Sequence, residues 1–110
     1  MTAERTKEYQ RRQEVAANVS ALLKAVADRR RAERELGLFA SLEARSQKRV
    51  YLGVAEAVEQ VTYLEKVAQS QSDLDASQAA IEGARLALVG QCRDEVADEV
   101  NGYLLRLVDG

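Results

Sequence analysis

The amino-acid sequence predicts an all-α fold, an elongated antiparallel three-helix bundle of coiled-coil-like helices. Three observations carry this. The chain has no proline, and alanine, leucine, glutamate, arginine and valine dominate it. Proline is the strongest helix breaker, so its absence leaves room for long uninterrupted helices. Val50, Val54, Val58, Val61, Leu64 and Ala68 recur in steps of three and four, which is one face of an α-helix and a spacing no strand shares. Two interruptions, at Gly37 and at Ser70 to Asp73, then cut the chain into three segments of similar length. Helices of about 33 residues would each run about 50 Å. Short turns would make them alternate up, down and up within a single domain, residues 1–110.

The first helix is expected over about residues 3–35. Its apolar face is Val15, Val19, Leu22 or Leu23, and Val26. Residues 1–12 are polar on all sides apart from Tyr9 and read as a frayed or solvated basic arm. The charged end, ADRRRAERE, can stay helical through acid–arginine pairs three and four residues apart. Gly37 follows as a turn, since glycine is the usual residue just past a helix C-terminus. A second helix is expected over about 38–70, opening with Phe39 and Leu42 and carrying the Val50–Ala68 stripe. Ser72 or Asp73 would cap a third helix over about 73–108. Leu74, Ile81, Ala84, Leu88, Cys92, Val96, Val100, Tyr103, Leu104 and Leu107 would be its apolar face.

A turn centred near Gln71-Ser72 would set Gly53 opposite Gly90 and Tyr51 opposite Cys92. The third helix also carries Ala76, Gly83, Gly90 and Ala97 at seven-residue spacing. Such a strip favours the short end of the 8–10 Å range of interaxial distances. Gly53, Ala76, Gly83, Gly90 and Ala97 are therefore candidates for close packing within the monomer or for self-association.

Charge is distributed unevenly. Residues 1–50 hold twelve Lys and Arg against seven Asp and Glu, whereas residues 51–110 hold four against eleven. In an up-down-up bundle Arg29, Arg30, Arg31, Arg34, Arg45, Lys48 and Arg49 would share one pole with Asp94, Glu95, Asp98 and Glu99. They are expected either to pair there or to form a binding surface for an anionic ligand, nucleic acid or a partner protein.

Catalytic chemistry is not indicated. The chain has no histidine to serve as base or metal ligand, and its single cysteine, Cys92, has no histidine to activate it. Cys92 reads as a small core residue. No phosphate-binding loop or nucleophile motif is present, and no metal site or cofactor is expected. One cysteine allows no internal disulfide framework. No signal-like or spanning apolar run is seen, since a bilayer needs roughly 20 such residues. The expectation is a cytoplasmic protein without a membrane partner.

The stretch RVYLGVA with the later Tyr63-Leu64-Glu65 resembles the helical hairpins of outer-membrane efflux proteins. The strands of their β-barrel have no counterpart in the chain, so the likeness implies neither their fold nor their activity. The function expected from the residues is a non-enzymatic protein–protein interaction module, an adaptor, inhibitor or assembly subunit that forms a homo-oligomer. The alternative is a nucleic-acid or anionic-ligand binder acting through the arginine clusters.

Overall fold

A computed structural model describes residues 2–109. The protein is all-α, with three helices: α1 (Ala3–Tyr51), α2 (Ala57–Gly90) and α3 (Asp94–Asp109). No strand occurs among the described residues. The fold class is as expected, as are the outer ends near residues 3 and 108; the two turns between the helices are not.

Gly37 is no turn but lies inside α1. One mid-helix glycine costs about 1 kcal/mol relative to alanine. That cost is outweighed here because inward-facing residues continue on both sides of it. Arg29, Ala32, Leu36, Phe39, Glu43 and Ser46 are each buried or half-buried. Ser70 to Asp73 likewise lies inside α2. Its polar side chains support the helix rather than capping a new one. Gln69 Nε2 donates to Asp73 Oδ1 at 2.9 Å and Gln71 Nε2 to Asp75 Oδ1 at 3.0 Å, both four-residue pairs of a stabilising kind.

The first turn instead interrupts the Val50–Ala68 stripe, at residues 52–56. Gly53 has φ 73°, the left-handed conformation that costs an L-residue about 1–2 kcal/mol and glycine little. Its N–H donates to Val50 O at 3.0 Å, and the N–H of Val54 donates to Arg49 O at 2.8 Å. This pair of bonds is the Schellman closure of a helix C-terminus. The second turn, residues 91–93, separates α2 from α3. The N–H groups of Gln91 and Cys92 donate back to Leu88 O at 3.2 Å and Val89 O at 3.1 Å. Asp94 and Glu95 then open α3, where acidic side chains favour the helix dipole.

The long helices are patterned with a period of 3.5 residues. Residues 15, 18, 22, 25, 29, 32, 36, 39, 43, 46 and 50 of α1 are all buried or half-buried, as are 60, 63, 67, 70, 74, 77, 81, 84, 88 and 91 of α2. This alternation of three and four is the heptad seam of a coiled coil.

The chain divides into two compact units. One comprises Met1–Val26 and Gln78–Gly110 and holds the hydrophobic core. Leu22, Ala25, Ile81, Ala84, Leu88, Leu104 and Val108 are buried there, with Val15, Val26, Val89 and Val100 packed against them. Burying a leucine or isoleucine contributes about 1.5–3 kcal/mol, so this cluster anchors α3. Arg85 reinforces it, donating both to Glu82 on its own helix and to Asn101 of α3. Residues 3–12, expected as a frayed or solvated basic arm, are helical and exposed. Thr2 Oγ1 accepts from Arg5 N at 3.4 Å and Arg12 pairs with Glu8 at 2.9 Å. Residue 1 lies outside the described residues.

The other unit, Ala27–Ser77, is a helical hairpin closed by the first turn. Its buried residues are Ala32, Ser46, Ser70 and Ser77, all small. Three contacts set its register. Arg49 Nη1 meets Glu59 Oε1 at 3.0 Å, Gln60 Nε2 donates to Glu43 Oε1 at 3.2 Å, and Lys66 Nζ sits 5.1 Å from the centre of the Phe39 ring. This register replaces the expected facing of Gly53 with Gly90 and of Tyr51 with Cys92.

Candidate interaction surface

In the hairpin unit the fully buried seam members are alanine and serine, while the larger ones, Leu36, Phe39, Val50, Tyr63, Val67 and Leu74, are only half-buried. Larger apolar side chains beside the seam remain in solvent. At the tip, Tyr51 is 89% exposed, Leu52 71%, Val54 67% and Val58 65%. Farther along, Leu38, Val61 and Leu64 are also exposed. The other unit also exposes large apolar groups, Tyr9, Leu23, Leu86 and Tyr103 among them; what distinguishes the hairpin unit is that no large apolar side chain in it is fully buried.

The two flanks of this seam differ in chemistry. Arg49 and Glu59 each immediately precede a seam residue, Val50 and Gln60, and they pair with each other. That flank is charged, and Lys66 lies along it. The opposite flank follows the seam residues Phe39 and Tyr63. It carries Ala40 and Leu64, with Gly37 and Ala44 beside them on α1 and Val61 and Ala68 on α2, and all six are exposed. At its tip end, Ala44, Gln47, Lys48, Tyr51 and Leu52 line a shallow depression. In the first unit the corresponding flank carries Val26, Arg85 and Val89, and there α3 is packed against it.

The cations expected at one pole all lie along α1. They form local ion pairs: Arg29 with Glu33 at 3.7 Å, Arg31 with Asp28 at 2.6 Å and Arg49 with Glu59 at 3.0 Å. The expectation assumed a helix end near residue 35. With α1 continuing to Tyr51, these arginines lie along one helix and find acids on it or on its hairpin partner. Arg29 occupies a seam position and is half-buried, while Arg30, Arg31, Arg34, Arg45, Lys48 and Arg49 are exposed.

The small-residue candidates do not pack closely. Ala76, Gly83 and Gly90 are exposed and Ala97 is half-buried. A Cβ built on Gly53, Gly83 or Gly90 would meet nothing within 4 Å, so no neighbouring backbone approaches them. The small residues that are buried are instead Ala25, Ala32, Ser46, Ser70, Ser77 and Ala84. Cys92, expected on the apolar face of a helix, lies in the second turn, half-buried, with its Sγ 3.2 Å from Leu88 O. Val96, Tyr103 and Leu107, expected in the core, are exposed.

Sequence reasoning missed the tip. A signal for it was present: Val50, Leu52 and Val54 alternate, which breaks the helical period, and Lys48 and Arg49 precede Gly53 as cations precede a helix C-terminus. Among the described residues no helix is long and apolar enough to cross a membrane, and no group of three or more acidic or cysteine side chains is placed to hold a metal ion. No family model matches the chain, nor does any curated protein or solved structure.

Proposed function

We propose that this chain is a non-enzymatic protein–protein interaction module, an adaptor or assembly subunit that works by self-association through its hairpin unit. The observation that supports this reading is the mismatch within that unit. What it buries fully is alanine and serine, and what it leaves in water includes Tyr51, Leu52, Val54, Val58, Val61 and Leu64. An arrangement that covers those side chains recovers roughly 25 cal/mol for each Å² of apolar surface removed from water. Sedimentation equilibrium tests the reading. The expected outcome is a mass above the 12.2 kDa of one chain, together with a melting temperature that rises with protein concentration. A monomer whose melting temperature is independent of concentration would sink it.

A second reading, nucleic-acid or anionic-ligand binding, is favoured by one specific feature. Arg30, Arg34, Arg45 and Lys48 all lie on the outer side of α1, away from its seam, and are exposed. A row of outward cations can neutralise phosphates, and such binding weakens steeply with salt. Retardation of a labelled duplex at low salt, lost as salt is raised, is the expected result of this reading. No retardation at low salt rejects it.

A further inference from the structure

We infer that the apolar flank of the hairpin unit is the contact surface of a two-fold dimer whose axis runs parallel to α1 and α2, so that α1 of one copy lies on α2 of the other. The inference rests on the self-association reading and specifies its surface and partner, a second copy of this chain.

The argument begins with register. The Arg49–Glu59, Glu43–Gln60 and Phe39–Lys66 contacts set Gly37 level with Ala68, Ala44 level with Val61, and Arg30 level with Asp75. The two sides of the flank differ most at the level of Ala44 and Val61. On α1 they are small, Gly37, Ala40 and Ala44; on α2 they include the larger Val61 and Leu64. An axis parallel to the helices preserves height and exchanges the sides. It sets Ala44 against the larger Val61 of the partner, and Gly37 against the partner's Ala68, where two small residues allow close approach. The depression beside Ala44, Gln47 and Tyr51 then lies at the level where the partner's α2 begins.

Charge selects the same axis. The rim of this flank is mainly cationic on α1, with Arg30, Arg34 and Lys48 against Glu33, and anionic on α2, with Glu65 and Asp75; all six are exposed. An axis parallel to the helices brings each cationic rim to an anionic one, with Arg30 level with the partner's Asp75. An axis perpendicular to them would oppose cations with cations and small residues with small residues. The surface is thus complementary to itself in shape and in charge, as a two-fold interface requires. The resulting four helices have antiparallel neighbours all round, the arrangement of an antiparallel bundle.

Cysteine pairing tests this. In a Cys92→Ser background, Ala44→Cys and Val61→Cys proteins are oxidised separately and as an equal mixture, after circular dichroism shows each to be as helical as the parent. The expected result is a disulfide-linked dimer several-fold more abundant in the mixture than in either protein alone. A linked dimer formed as readily by the Ala44→Cys protein alone overturns the parallel axis while leaving self-association in place. Gly37→Cys with Ala68→Cys, both at exposed positions, serves as a second pair should the first disturb folding. Protein that sediments as a dimer but links through neither pair overturns this surface. Protein that sediments as a monomer overturns both the surface and the reading beneath it.

Discussion

At the residue scale, two glycines of the same unit have opposite roles. Gly53 ends α1 with a positive φ and accepts no side chain without strain. Gly37 lies in the helix interior, and a Cβ there would meet nothing within 4 Å. The sign of each substitution is therefore set by the backbone and not by packing. Gly53→Ala is expected to destabilise by about 1–2 kcal/mol, and Gly37→Ala to stabilise by about 0.5–1 kcal/mol. Urea midpoints of the two variants check this; equal effects of the same sign would contradict the assignment of turn and helix. Gly37 misleads in the sequence because a glycine after a charged run has the look of a helix end. What distinguishes the two positions is the continuation of inward residues, which passes through Leu36 and Phe39 but stops after Val50.

At the element scale, the hairpin seam is polar for a coiled coil. Arg29, Glu43, Ser46, Gln60, Ser70 and Ser77 occupy positions where apolar residues are usual. Ser77 donates its hydroxyl to Leu74 O at 2.8 Å within its own helix. Ser46 is 1% exposed, and its hydroxyl makes no hydrogen bond among the described residues. A buried unpaired polar group costs about 1–3 kcal/mol. Ser46→Ala is expected to raise stability by about 1 kcal/mol on that scale, whereas Ser77→Ala, which removes a bond, is not. Chemical denaturation of the two variants separates them, and a loss of stability in Ser46→Ala would refute the account. The same polarity explains how much of the fold was legible. Helix content was plain from the missing proline and from the apolar spacing. Helix boundaries were not, because the true seam is disguised by its serines and charges. The conspicuous stripe of Val54, Val58, Val61 and Leu64 lies in the first turn and beside the seam. The tip was hidden for the same reason, since its valines and leucine look like core when read by spacing alone.

At the scale of the whole molecule, the two units differ in what holds them. One has a cluster of leucine, isoleucine and valine closed by α3; the other has a seam whose fully buried members are alanine and serine, and a charged flank. Local opening follows the amount of apolar surface buried. Amides of Ala57 to Leu64 are thus expected to exchange faster than those of Ile81 to Leu88 in dilute protein, and to become protected as concentration rises. Exchange that is uniform along α2 at all concentrations would contradict this. The hairpin seam also has a consequence for alignment. Its inward positions recur every seven residues on both helices, so sliding one helix past the other by seven residues returns seam positions to seam positions. Such a slide is about 10 Å of helix rise. The connection between Tyr51 and Ala57 has five residues, and its first half is tied back onto α1 by the bonds to Val50 O and Arg49 O. It has no slack to supply that distance. The loop thus works as a ratchet pawl: the covalent length of the turn selects one alignment among those that the repeating seam would accept.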